Sequence, residues 1–257
     1  MSLSLQFLGV GSAIASDLGN SNAVLRYDDA PFLLIDCGFD GLPRYQQLFH
    51  QALPSAVFIT HCHFDHIGGL EQLYFQASLS QCRPKIFVPV PIIESLVNIL
   101  GNACVAEGNE TVWDVLGLVP VLDSFHLNVF KFEILPVNHH ALRSAYGLLL
   151  RGKFFYSGDT RPIPEILNHE IVQGEQIFHD CCLDGNPRHS GLNDIVNVYA
   201  KSTLDKIVVY HYHGAKDRLV FTQYGVRAAE PFEQFYFSAN NRSEQPKKTL
   251  DLIERSA

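Results

Sequence analysis

Two stretches of this chain, one in each half, run through the same succession of signals, and that echo constrains the fold more than any single motif. In the first, Ala23-Val24-Leu25-Arg26-Tyr27 and Pro31-Phe32-Leu33-Leu34-Ile35-Asp36 read as two strands about a short Asp28-Asp29 turn, the second ending in an acid followed by Cys37-Gly38. The pattern then predicts a helix over Leu42 to Gln51 and a buried strand, Ser55-Ala56-Val57-Phe58-Ile59-Thr60, that delivers His61. In the second half, Tyr146 to Leu150 and Lys153 to Ser157 read as a hairpin about Arg151-Gly152 that ends in Gly158-Asp159. A helix follows near Pro164 to Val172, and Lys206-Ile207-Val208-Val209-Tyr210 is again an apolar strand, delivering His211. Each half thus runs hairpin, acid, helix, apolar strand, histidine. Two such α/β units bury their apolar faces by packing sheet to sheet with helices outside, so that polar strand ends from both halves converge on one edge.

The 257 residues, 47% hydrophobic and 18% charged, suffice for a full core and exclude a disordered chain. Against 27 Asp+Glu stand 19 Lys+Arg, a balance of −8 that argues against a broad basic face for a long polyanion or an acidic membrane. The six cysteines, at 37, 62, 82, 104, 181 and 182, have no regular spacing in a chain too long to need staples, and read as reduced thiols. No apolar run reaches the roughly 18 residues of a membrane span. Leu5 to Ala15 is fairly apolar, but no Lys or Arg precedes it, and Leu3, Leu5 and Phe7 alternate with Ser2, Ser4 and Gln6, which is the period of a strand and not of a secretory signal. A cytoplasmic location is the expectation. Residues 104–124 read as an irregular inserted loop near the site. Residues 214–257, with Phe221, Tyr224, Phe232, Phe235, Tyr236 and Phe237, read as an extension that packs aromatic side chains on the domain formed by 1–213.

The chain has 12 histidines, and three of them fall in Thr60-His61-Cys62-His63-Phe64-Asp65-His66-Ile67-Gly68-Gly69. His61 and His63 alternate on an extended segment and face the same way. Asp65 and His66 open what reads as a helix from His66 to Gln76 and face elsewhere, so one segment offers two sets of metal ligands. Three imidazoles and a carboxylate at the end of a buried strand are costly as core filler, since each needs a partner, whereas neutral imidazole is the commonest metal ligand.

On these residues the chain resembles the metallo-β-lactamase superfamily, whose mark is His-x-His-x-Asp-His after a strand. The resemblance runs from about residue 3 to 213 and rests on an ordered set of motifs. These are Gly9-Val10-Gly11-Ser12-Ala13, Ile35-Asp36-Cys37-Gly38, the His61 to His66 cluster, a histidine after Pro136-Val137-Asn138, Ser157-Gly158-Asp159-Thr160 and the strand-borne His211. It implies an α/β fold, the four-layer αββα sandwich of two mixed sheets flanked by helices. It implies further that His61, His63 and His139 hold one metal, that Asp65, His66 and His211 hold a second, that Asp159 bridges them, and that Asp36 is the supporting acid that orients the histidine loop. His140 competes with His139, which is preferred because the family's ligand follows the strand-terminal proline at that distance. His213 competes with His211, which is preferred because the strand ends at Tyr210. Imidazole and carboxylate ligands without thiolate fit Zn2+ best, and Mn2+, Fe2+ or Co2+ fit the same set; Cys62, between two ligands, faces away and packs. Two metals about 3.5–4 Å apart acidify a shared water, the bridging hydroxide that attacks the substrate, and neutralise charge on the substrate's oxygens, so hydrolysis is the implied reaction.

The superfamily cleaves β-lactams, lactones, thioesters and phosphodiesters, and the fold does not choose among them. The pair Ile177-Phe178-His179-Asp180-Cys181-Cys182 and Arg188-His189-Ser190-Gly191 is similar to the phosphodiesterase branch, typified by the tRNA 3′-processing ribonuclease (ribonuclease Z), with Asp180 where Glu is more usual. The resemblance implies that His189 stabilises phosphoryl oxygens or protonates the leaving alkoxide while Asp180 holds its tautomer. Asp65, Asp180 and His189 are the candidate catalytic residues, Asp65 doubling as a ligand. The branch's tRNA-gripping arm lies between the third-motif histidine and the bridging aspartate, and here His139 and Asp159 are only 20 residues apart, nearly all of them hairpin. With the acidic balance, this disfavours tRNA or any extended nucleic-acid surface and favours a small-molecule phosphodiester such as a cyclic nucleotide. Two divalent ions against Asp65, Asp159 and a hydroxide leave about +1 in the cleft, so the acidic balance does not argue against one phosphodiester. The alternatives are a lactone or other acyl-ester hydrolase on the same metals, a tRNA 3′-processing endonuclease, and a non-catalytic metal-binding protein. The last is disfavoured because every ligand position holds a residue able to bind metal. No flavodoxin-like domain, as in the superfamily's diiron reductases, is expected, and a homodimer is the default oligomer.

Overall fold

The computed structural model describes residues 2–15, 17–106 and 111–237, with side-chain environments outside 102–106. Its strands form two seven-stranded sheets. The first holds β1 (Leu3–Phe7), β2 (Ala23–Tyr27), β3 (Ala30–Ile35), β4 (Ala56–Phe58), β5 (Lys85–Pro89) and β6 (Gly117–Val121). The second holds β7 (Ser124–Leu127), β8 (Phe130–Pro136), β9 (Tyr146–Leu150), β10 (Phe154–Tyr156), β11 (Gln176–Asp180), β12 (Ile207–Tyr210) and β13 (Arg227–Ala228). The chain then returns to the first sheet as β14 (Gln234–Phe237), antiparallel to β1 with Leu3 opposite Phe237. Strand order is β14-β1-β2-β3-β4-β5-β6 in one sheet and β13-β12-β11-β10-β9-β8-β7 in the other. In each, an antiparallel triple (β1-β2-β3 and β8-β9-β10) continues into a parallel run (β3 to β6 and β10 to β13). The helices are α1 (Gly41–Leu48), α2 (Phe64–Ile67), α3 (Leu70–Ser80), α4 (Ile93–Ala106) and α5 (Val112–Val115) in the first half. The second half adds α6 (Pro164–His169), α7 (Leu192–Val198), α8 (Lys201–Leu204) and α9 (Asp217–Gln223). Two mixed sheets flanked by helices are the expected αββα sandwich.

The sheets meet across aromatic side chains. Phe7 of β1 packs at 5.5 Å on both Phe178 of β11 and Tyr210 of β12, and Phe125 of β7 stacks on Phe87 of β5 at 4.2 Å. On β1 every residue is buried, Ser4 and Gln6 included; its alternation marks a strand, but one covered on both faces. From residues 214–237, Phe221 and Phe235 are buried, Phe235 against Phe7 and Phe178, while Tyr224 and Tyr236 are exposed. Residues 238–257 lie outside the described part. No helix among the described residues is long and apolar enough to cross a membrane.

Four expectations need correction. The echo paired the strand before His61 with the strand before His211, but in the sheets the counterpart of β4 is β11, the next parallel neighbour of the hairpin, and β12 corresponds to β5. The polar pair His179-Asp180 at the end of β11 interrupts the apolar run that marks the other buried strands. Secondly, the helix expected from His66 to Gln76 is divided into α2 and α3 at Gly68-Gly69. There the backbone passes so close to the Cys37-Gly38 turn that a Cβ on Gly69 would stand 2.4 Å from the Gly38 carbonyl oxygen. Thirdly, α1 stops at Leu48 because His50 and Gln51 take left-handed conformations, with φ of 52° and 65°, and α6 stops at His169. Finally, the stretch 104–124 is no inserted loop. Its start completes α4, residues 107–110 lie outside the description, and α5, β6 and the start of β7 carry the chain from the first sheet to the second.

Candidate metal centre

In a parallel run all strands end at one edge, and β1 and β8, two antiparallel steps from β3 and β10, end there too. That edge gathers Asp36 after β3, the His61 to His66 segment after β4, His139 after β8, Asp159 after β10, Asp180 at the end of β11 and His211 after β12. The Gly11-Ser12 turn stitches the two sheets above it: His211 N–H donates to Val10 O at 2.7 Å and Ser12 N–H to Tyr212 O at 3.1 Å.

The donor atoms of His61, His63, His139 and Asp159 lie within 4.8 Å of one another, and so do those of Asp65, His66, Asp159 and His211. These are the two expected ligand sets, with Asp159 common to both. His61 Nε2 lies 3.0 Å from His63 Nδ1, and His139 Nε2 lies 3.3 Å from that same nitrogen. Asp159 Oδ2 is 3.3 Å from both His66 Nε2 and His211 Nε2 and 3.6 Å from His61 Nε2.

Supporting hydrogen bonds decide which nitrogens face inward. Asp36 is wholly buried and accepts from Thr60 N–H, Thr60 Oγ1–H and His66 Nδ1–H, each at 2.8 Å. His66 therefore presents its Nε2 lone pair to the cluster. Since the Thr60 hydroxyl proton goes to Asp36, its oxygen accepts from His61 Nδ1–H at 3.1 Å, and His139 Nδ1–H donates to Arg188 O at 2.9 Å. His61 and His139 thus also turn Nε2 lone pairs inward, toward His63 Nδ1. A proton on Nδ1 would serve one of these acceptors; a cation serves all three nitrogens. On the other side, His66 Nε2 and both carboxylate oxygens of Asp159 are buried without any hydrogen-bond partner. Stranded polar atoms of this kind are costly, and the nitrogen and carboxylate-oxygen donors suit a divalent cation.

The electrostatics agree. Burial holds His61 well below the usual histidine range, with the charge on His66 adding to it, and burial brings His139 down to about 3. Burial is the largest single influence on His66 and His211 and opposes their charge, but the surrounding carboxylates together overcome it: Asp159 with Asp65 and Asp36 for His66, and Asp159 with Asp65 and Asp180 for His211. His66 is held well above the usual range and His211 is raised to about 9. Burial disfavours an ionised Asp159, yet His211, His66 and His61 around it keep its carboxyl well below the ordinary range. One group therefore offers neutral imidazoles, the other carboxylates beside imidazoles that a metal must deprotonate.

Beside the second group, Asp180 Oδ2 accepts from His189 Nδ1–H at 2.9 Å and from Thr160 N–H at 2.8 Å, while Asp180 Oδ1 lies 3.5 Å from His211 Nδ1. The His189 ring stacks on His211, centroids 4.8 Å apart. Arg161 fixes this loop by donating to the carbonyls of His189 and Asn186 and to Asp194. Of the competing pairs, His139 and His211 are in the cluster; His140 is exposed with Nε2 2.8 Å from His63 Nε2, and exposed His213 bonds Ser12 Oγ. The Cys62 thiol points to Ile92 O, its pKa raised by burial to about 12. Among the described residues all five cysteines are free thiols; the side chain of Cys104 lies outside the description. Sequence reading missed the second reach of Asp180, toward His211, and the supports Thr60, Ser157, Tyr210 and Arg161. Ser157 Oγ accepts Asp180 N–H at 3.0 Å, and Tyr210 OH donates to Gly158 O at 2.9 Å. A polar residue between a histidine motif and its acid, as Thr60 is, was the one available signal.

The family model described as anti-Pycsar protein Apyc1 matches residues 3–228. The chain belongs to the Apyc1 family. An Apyc1 protein of Paenibacillus harenae is 31% identical over 240 residues, covering 90% of this chain and 98% of the relative. Two solved structures share the fold of this Apyc1-family chain. The metallo-β-lactamase fold protein YhfI of Bacillus subtilis has a TM-score of 0.71 at 16% identity, over 92% of this chain and 100% of that one. A diphosphatase of the PhnP family has a TM-score of 0.72 at 19% identity, over 92% and 98%. Apyc1-family membership, the metallo-β-lactamase fold and the donor clusters together make the chain a metal-dependent hydrolase.

Proposed function

We propose that the chain is a dinuclear phosphodiesterase acting on a small phosphodiester such as a cyclic nucleotide, with Zn2+ the metal that its donors suit best. His61, His63 and His139 would hold one ion, Asp65, His66 and His211 the other, with Asp159 shared. Such a pair supplies Lewis-acid charge for the substrate's oxygens and acidifies water. The observation that carries the choice of bond is the His189–Asp180 pair at 2.9 Å, set against the second donor group. With Nδ1–H given to Asp180, His189 keeps Nε2 for the substrate, where it can bond a phosphoryl oxygen or pass a proton to the departing alkoxide. The buried carboxylate of Asp180 fixes that tautomer and supports the imidazolium. Between His139 and Asp159 the chain is occupied by a short loop and the β9–β10 hairpin, which supports a small substrate over tRNA.

Purified, metal-loaded protein should hydrolyse bis(p-nitrophenyl) phosphate and, in a panel with cyclic nucleotides, a lactone, an ester and a precursor tRNA, favour the small phosphodiesters. Asp159→Ala should abolish turnover and His189→Ala should lower kcat by about 100-fold. Preference for the lactone or ester, no turnover at full metal occupancy, or an unimpaired His189→Ala variant would each refute the proposal.

A further inference from the structure

Three of the five histidines in the two donor groups have their outward nitrogen hydrogen-bonded to oxygen, His61 to Thr60, His66 to Asp36 and His139 to Arg188 O, and that of His211 faces Asp180 Oδ1 at 3.5 Å. The fifth differs. His63 faces the cluster through Nδ1, so its outward nitrogen is Nε2, and the group against that nitrogen is another imidazole, His140 Nε2 at 2.8 Å. The two rings meet nearly edge to face, at 87°. A nitrogen that binds a cation carries no proton, so a neutral His63 that ligates through Nδ1 must carry its proton on Nε2. That proton needs an acceptor, and Nε2 of a neutral His140 protonated on Nδ1 is one.

We propose that His140 is a positioning residue that holds His63 as the Nε2–H tautomer, and so keeps Nδ1 free for a divalent cation shared with His61 and His139. The inference rests on the dinuclear reading above. It also gives the double histidine a division of labour: His139, buried, turns its own Nε2 into the cluster, and its exposed neighbour reaches the same cluster through His63. Outer partners of ligating histidines commonly change metal affinity 10–100-fold, and because water can reach an exposed His140 and accept the same proton, the effect belongs at the lower end.

The test is metal affinity of the full chain, measured by Zn2+ competition with a chromophoric chelator, for His140→Ala, His140→Gln and His140→Lys. Alanine should weaken binding about tenfold. Glutamine, whose amide oxygen accepts a hydrogen bond, should restore most of the loss; lysine, which offers only donors, should lose at least as much as alanine. Long-range proton–nitrogen spectra of the Zn2+-loaded wild type should place the His63 proton on Nε2. Wild-type affinity in all three variants, or glutamine no better than alanine, would overturn the proposal, and a changed cobalt absorption band in the glutamine variant would show His140 to be a ligand instead. Failure of the dinuclear reading is separate: it would appear as wild-type protein that binds no divalent metal, or that binds it without cleaving phosphodiesters.

Discussion

Replacing Asp36 by Asn tests whether one buried carboxylate organises the whole histidine segment. The backbone at Asp36 is left-handed, with φ of 61°, which Asn tolerates as well as Asp, so the change is confined to the side chain. Asp36 Oδ1 accepts Thr60 N–H, and the Asn oxygen can keep that bond. Oδ2 accepts two further donors, Thr60 Oγ1–H and His66 Nδ1–H; an amide NH2 there meets both donor to donor. Two hydrogen bonds to a charged acceptor are worth about 1.5–3 kcal/mol each. Relief from burying a charge, which burial shows by raising the Asp36 pKa, offsets part of this. The expected net loss is about 2–4 kcal/mol. His66, losing its acceptor, no longer keeps its proton on Nδ1, so Nε2 ceases to be a reliable donor and metal affinity should fall about 10–100-fold. Urea unfolding at fixed free metal and chelator competition read the two effects. A variant destabilised by less than about 0.5 kcal/mol with wild-type metal affinity would refute the reasoning.

Three further outcomes follow from the geometry. Added Zn2+ or Co2+ should raise the melting temperature in proportion to the logarithm of its free concentration, about 2.7 kcal/mol at one hundred times Kd; a chelator should reverse the shift, and no shift would count against the site. Gly158→Ala places a Cβ at φ of 63°, 3.0 Å from Tyr146 O and 3.2 Å from Thr60 Cβ, and should cost about 1–2 kcal/mol by calorimetry while lowering turnover through its neighbour Asp159. Arg151 makes paired hydrogen bonds to Glu133, which hold that carboxyl below its ordinary 4.5. Its contribution is therefore complete above that value and is lost as pH falls through the depressed folded value; Glu133→Gln should remove about 0.5–1 kcal/mol at neutral pH and nothing in strong acid, as denaturation at both pH values would show.

What the sequence made legible was local. His61, His63, Asp65 and His66 sit within six residues, so their alternation and helix entry need only backbone geometry, and the two hairpins announce themselves by apolar runs about Asp28-Asp29 and Arg151-Gly152. Asp180 and His189 could be paired only through resemblance, because β11 and the following loop lie nine residues apart in sequence but meet through a turn that Arg161 pins from another element. The division of α2 from α3 was illegible for a similar reason: Gly68-Gly69 reads as a weak spot in a helix until the Cys37-Gly38 backbone is seen against it. The equivalence of β4 with β11 is hidden in the sequence because a strand bearing His179 and Asp180 at its end does not look like core, although both are wholly buried.

The pairing of β1 with β14 fixes the order in which the molecule can be completed as it is made. β1 leaves the ribosome before both of its neighbours, β2 and β14, and β14 is the last strand described. Until it arrives, one edge of β1 is open and Phe7 lacks the Phe235 ring that covers it. The donor atoms are spread as widely, from His61 to His211, and His211 is tied to Val10 O in the turn after β1. Contacts of such long sequence separation slow folding and leave intermediates with unpaired edges. A growing chain must therefore carry the histidine segment without the donors that complete both groups until β12 and His211 have been made.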